Sequence, residues 1–226
     1  MQMQGHYRNC VSPSNCWCEV KRYGNLIALG AVIFTLETAG GYYSGSLSLY
    51  ADAWHVFVCN GMYTTAALAT VMVRYGKASY KKAERGASVA LALGLFIIIS
   101  VIMYQAFERL SNPPEVTSAT MMVVAFIGGI LNWRQQRVHH GAADEHKGHK
   151  HRLAALHILS DKWQSWAVAF GGALKLMSES VWPRSSLPAY IDPILSIAIA
   201  IFLIAQIIMA TEEYLKKQSR NNVDQH

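Results

Sequence analysis

Three residues with ligand chemistry stand in one short apolar run: Asp52, His55 and Cys59 in ADAWHVFVCN, Ala51 to Asn60. Carboxylate, imidazole and thiolate are all acceptable zinc ligands. Spacings of three and four residues put them on one face of a helix, within reach of a single ion. If the run lies in a membrane span, each ionisable group costs roughly 2.5–3.5 kcal/mol on insertion scales, a cost usually met along ion paths.

A second constellation, His157, Asp161 and Ser165 in HILSDKWQS, repeats the helical spacing. Two helices, each offering a His and a second ligand one turn away, can converge into the four-coordinate geometry that zinc requires. A lone His in an apolar span reads more simply as a hydrogen bond between helices. Two such helices in one chain favour a metal site.

The elements that must position these residues follow from composition. With 226 residues, 52% hydrophobic and only 15% charged, the chain reads as an all-α integral membrane protein rather than a soluble domain. Apolar runs of spanning length lie at Leu26–Tyr43, Leu47–Val73, Ala87–Phe107, Thr117–Trp133, Leu153–Met177 and Tyr190–Met209. Six transmembrane helices are therefore expected in residues 25–211, between an N-terminal tail, 1–24, and a short C-terminal tail, 212–226. Ser44, Gly45 and Ser46 form so short a connector that the first two helices must be antiparallel neighbours.

Basic residues set the orientation. Arg8, Lys21 and Arg22, then Arg74, Lys77, Lys81, Lys82 and Arg85, then Arg134, Arg137, Lys147, Lys150 and Arg152, and finally Lys216, Lys217 and Arg220 all fall on one side of a six-span chain. The positive-inside rule puts that side, and both termini, in the cytosol. The polar first 25 residues contain no cleavable signal pattern. The net charge of +6 is explained by this topology, and no nucleic-acid partner is expected.

From Glu37, the stretch ETAGGYYSGSLSLYADAWH resembles the signature of the cation diffusion facilitator family, the zinc-transporter type of metal/proton antiporter. The likeness continues in order through YQAFERLSNPPEV, Tyr104–Val116, then GGILNW with Asn132, AALHILSD with Ser165 following, and YIDPILS, Tyr190–Ser196. The resemblance implies a six-helix transmembrane domain, usually a homodimer, in a bacterial inner membrane or an organelle membrane. It also implies export of divalent cations from the cytosol in exchange for protons. The central site it implies is His55 and Cys59 with His157 and Asp161, leaving Asp52, Glu37 and Ser165 to neighbouring or entrance roles.

The chain departs from the family pattern in three places. Cys59 stands where the family carries Asp; as a thiolate ligand it would keep the site's charge and soften it toward zinc, cadmium or cobalt. The alternative is a small apolar filler. Lys162 lies beside Asp161, turned about 100° away along a helix, to snorkel or to pair with Glu37 or Asp52. The sequence also reads as a short form lacking the cytosolic C-terminal domain of many members, so a dimer would be held through the membrane helices.

The connector 138–152 carries His139, His140, His146, His149 and His151. Such tracts bind transition metals weakly through neutral imidazole, and the resemblance suggests a cytosolic collecting antenna. In the tail, Cys10, Cys16 and Cys18 with His6 match no standard zinc spacing and read as weak metal binding or a plain disordered tail. Glu37 is either a proton or cation relay or a hydrogen-bonding group between helices. Asp192 before Pro193 reads as an N-cap on the sixth helix, and Asn132 as a packing residue.

The expected function is export of zinc, cadmium or cobalt as substrate, without organic cofactor, by alternating access in exchange for protons. The alternative is a non-transporting membrane metal sensor or partner subunit. An enzyme is disfavoured, because a zinc site closed by four protein ligands leaves no position for an activated water.

Overall fold

A computed structural model describes residues 18–75, 80–143 and 149–223. These form six long α-helices: α1 (Cys18–Ser44), α2 (Leu47–Arg74), α3 (Tyr80–Ser111), α4 (Ser118–Ala143), α5 (His149–Val181) and α6 (Ile191–Val223), with a 3₁₀ turn at Leu187–Tyr190 before the last. No strand occurs among the described residues. The six apolar runs fall one to a helix, and the breaks between them have local causes. Gly45 adopts φ +72°, a left-handed conformation that costs other residues a Cβ clash, and so the chain reverses within two residues of Ser44. Asn112, Pro113 and Pro114 end α3, and Pro183 follows α5, since proline removes a backbone donor and restricts the residue before it. Pro193 sits in the first turn of α6, where a missing N–H is tolerated.

The helices run further than the apolar runs. α1 begins at Cys18, because Lys21 and Arg22 are good helix formers and Tyr23 and Leu26 gain burial against Cys59 and Tyr63 of α2. α4 and α5 likewise extend into the histidine-rich stretch. His139 and His140 lie on α4, and His149 and His151 on α5; their side chains, like the whole of His146, lie outside the described residues. The tail cysteines Cys10 and Cys16 and His6 also lie outside them, as does the side chain of Cys18.

The bundle is built from antiparallel pairs. α1 and α2 form a hairpin in which Phe34 meets Trp54 and Phe57, and Asn60 Nδ2 donates to the Ile27 carbonyl at 3.3 Å. α4 and α5 pair from Ser118 with Glu179 at one end to Gln136 with Lys162 at the other. α1 also lies along α4, where Gln135 Nε2 donates to the Leu26 carbonyl at 3.0 Å. Leu47, Ile102, Met121, Val168, Ile199 and Leu203 belong to the main apolar core.

Polarity is distributed opposite to that of a water-soluble bundle. Glu37, Asp52, His55, Asn132, Gln164 and Ser165 are buried, while Phe57, Phe96, Ile97, Phe107, Phe170 and Ile201 are exposed. Three helical segments among the described residues, Val20–Ser44, Leu93–Ser111 and Leu187–Met209, are long and apolar enough to cross a membrane by length and composition.

Asp192 does not cap its own helix. It is the second residue of α6, and its carboxylate accepts from the start of α2 instead: Ser46 Oγ at 2.7 Å, Leu47 N at 2.9 Å and Ser48 N at 3.1 Å. α6 starts one residue too early for the expected cap. The short connector before α2 brings that helix's unsatisfied N–H groups within reach.

Candidate metal site

His55 and Cys59 sit one turn apart on α2, both buried, with Cys59 Sγ 3.7 Å from His55 Nε2. The spacing read from sequence therefore brings this sulfur and this ring nitrogen together. Cys59 also packs with Tyr23, Leu26 and Tyr63, so the thiol stands at the boundary between a polar line and an apolar cluster.

One turn before His55, Asp52 turns to α5. Ser165 Oγ lies 2.7 Å from Asp52 Oδ2 and 3.4 Å from Glu37 Oε1 of α1, and receives the Asn132 Nδ2 donor of α4 at 2.9 Å. A hydroxyl has one proton to give, and the shorter contact assigns it to Asp52. Four helices thus converge on one buried hydroxyl. Close approach on the α4 side depends on Gly128, where a Cβ would fall 2.2 Å from Glu37 Oε1.

Asn132, read from sequence as a packing residue, is therefore a member of this network. The sequence assigns Gln164 no role. It is 3% exposed, and among the described residues neither end of its amide has a hydrogen-bond partner. Leaving a polar group so placed costs about 1–3 kcal/mol. Its only sequence signal is an amide in an apolar stretch beside Ser165.

Lys162 turns away from the network. Its Nζ donates to Gln136 Oε1 on α4 at 3.0 Å and lies 5.4 Å from the Trp163 ring centroid. It bridges α5 to α4, and no ion pair with Glu37 or Asp52 occurs among the described contacts.

His157 and Asp161 lie on α5, but their side chains are outside the described residues. Among the described residues no three His, Cys, Asp or Glu side chains form a group that could hold a metal ion. The described residues thus bring together the His55–Cys59 pair and, beside it, the oxygen-rich Glu37–Asp52–Ser165–Asn132 network.

Comparison with known proteins bears on what such an arrangement handles. A family model described as the cation efflux transmembrane domain matches residues 26–210. The chain is 32% identical over 195 residues to the zinc transporter ZitB of Pectobacterium atrosepticum, covering 80% of this chain and 55% of that protein. It is 29% identical over 175 residues to a cadmium, cobalt and zinc/H(+)-K(+) antiporter of Bacillus subtilis, covering 75% of this chain and 53% of that one. It is 29% identical over 171 residues to the metal cation efflux system protein CzcD of Cupriavidus metallidurans, covering 73% and 53% respectively. The chain spans a little over half the length of these curated relatives.

Proposed function

This chain belongs to the cation efflux family, and on that premise we propose that it exports divalent transition-metal ions from the cytosol in exchange for protons, with zinc the main substrate and cadmium or cobalt also carried. The observation that carries the reading is the buried His55–Cys59 pair on α2, inside the matched transmembrane domain. Its nitrogen and sulfur donors suit borderline and soft ions better than magnesium or manganese. Of the relatives named above, one is a zinc transporter and one a cadmium, cobalt and zinc/H(+)-K(+) antiporter.

In this reading His157 and Asp161 of α5 complete the site. Helix register supports it: α2 and α5 run antiparallel and meet at Asp52 and Ser165. One turn further along each backbone, position 161 comes level with position 55. A second turn brings position 157 level with position 59.

All six helices cross the membrane in this proposal, with both termini in the cytosol. Support comes from the outward-facing apolar side chains and from the basic residues that the sequence concentrates in alternate connectors and tails. The ligands must shed protons to bind metal, so groups that hold the ion also carry the exchanged protons. Rocking of the helices would expose the site to each side in turn. The Glu37–Ser165–Asp52 network, one turn from the ligands, serves as a relay for protons or cations.

Purified protein in vesicles containing a zinc-sensitive dye tests the proposal. Zinc entry should follow a pH gradient and be lost in Asp161→Ala. Zinc uptake undiminished in that variant refutes the site assignment, and metal binding without flux favours a sensor.

A further inference from the structure

Asp192 is fully buried on α6, yet every donor to its carboxylate among the described residues comes from another helix or its lead-in. Oδ1 accepts from Ser46 Oγ and Ser48 Oγ, each at 2.7 Å, and from Ser48 N at 3.1 Å. Oδ2 accepts from Leu47 N at 2.9 Å and from Arg109 Nη1 of α3 at 3.4 Å. Arg109 Nη1 also donates to the Gly45 carbonyl at 2.6 Å. Ser46 Oγ in turn accepts from Leu49 N at 3.2 Å, so Ser46 caps α2 while its own O–H donates to Asp192.

A buried anion held by five donors has one favourable position. Those donors fix both the height and the rotation of the first turn of α2, and the negative charge stabilises the positive end of that helix's dipole. His55 follows Leu47 by eight residues, about 12 Å along a helix that rises 1.5 Å per residue. A helix is stiff over that length, so a shift or twist at the cap reappears at His55 and Cys59.

We infer that Asp192 is a positioning residue for the metal site: from α6 it sets the register of α2, and through α2 the geometry of the His55–Cys59 pair. This rests on the metal-transport reading above. Asp192 acts through α2, since its own carboxylate is occupied by Ser46, Leu47, Ser48 and Arg109.

The test is cobalt titration of the full chain in lipid nanodiscs, following the absorption bands of bound cobalt, with circular dichroism recording helix content. Asp192→Asn replaces one acceptor oxygen with an amide donor that faces donors. It should weaken cobalt and zinc binding roughly tenfold, the lower range for groups that orient metal ligands, and alter the cobalt bands while helix content is kept. The double variant Ser46→Ala/Ser48→Ala keeps the carboxylate and its two backbone donors and should fall between. If either folded variant melts earlier but titrates with wild-type affinity and an unchanged spectrum, Asp192 supports only the fold and the inference is wrong. Should Asp192→Asn fail to fold, the double variant decides alone. A wild-type chain that binds no cobalt overturns the metal reading itself, and the positioning role with it.

Discussion

Ser165 of α5 and Asp52 of α2 share a hydrogen bond of 2.7 Å in the fully buried centre of the bundle, and through it two helices distant in sequence are held in register. Ser165→Ala removes that donor and also the hydroxyl to which Asn132 Nδ2 donates. A hydrogen bond to a charged group contributes about 1.5–3 kcal/mol, so we expect a loss of thermal stability of that order, with slower zinc uptake. Ser165→Thr keeps the hydroxyl and should retain most of both. Melting curves and vesicle uptake for the two variants check this; equal behaviour would show that the hydroxyl is dispensable.

Cys59 separates two kinds of contribution. As a metal ligand through the sulfur that lies 3.7 Å from His55 Nε2, it should lose at least tenfold in zinc affinity on Cys59→Ala. Cys59→Asp should move selectivity toward manganese, a harder ion. As a filler among Tyr23, Leu26 and Tyr63, the alanine would leave metal binding alone and cost about 1 kcal/mol of stability through a small cavity. Metal titration across zinc, cadmium, cobalt and manganese, beside a melting curve, distinguishes them. We expect the ligand outcome.

Gly128→Ala places a methyl group 2.2 Å from the present position of Glu37 Oε1. Glu37 must move, and with it the contact to Ser165. Overpacking of this kind typically costs 1–3 kcal/mol, so the predicted loss is about 2 kcal/mol. Uptake should fall more than stability alone explains, as read from transport per folded protein. A variant with full transport would separate Glu37 from function.

Lys162→Gln should be mild. The ammonium is partly exposed and bonded to Gln136, away from the Asp52–Ser165 line, and exposed polar contacts contribute about 0–1 kcal/mol. Transport is expected to stay within roughly threefold of wild type, a change of no more than about 0.7 kcal/mol in barrier. Loss of transport in this variant would bring the lysine back into the ion path.

Sequence by itself determined the helices and which polar side chains share a helix face. Uninterrupted apolar runs, glycine and proline breaks, and basic connectors are local properties, and a His followed four residues later by Cys must share a face on any helix. That is why His55 and Cys59 could be paired before any fold was known. The ordered motifs from Glu37 to Ser196 likewise carried the family, which the match over residues 26–210 bears out. What local spacing cannot carry is the partner across a helix interface, which depends on how two helices are rotated and staggered against each other. Only the tertiary structure decided that Ser165 meets Asp52, that Asn132 joins them, that Lys162 turns to Gln136, and that Asp192 caps α2 instead of its own helix. At Asp52, Ser165, Asn132 and Asp192 a buried polar group found its partner on another helix, because leaving it unsatisfied in an apolar interior costs more than reaching across.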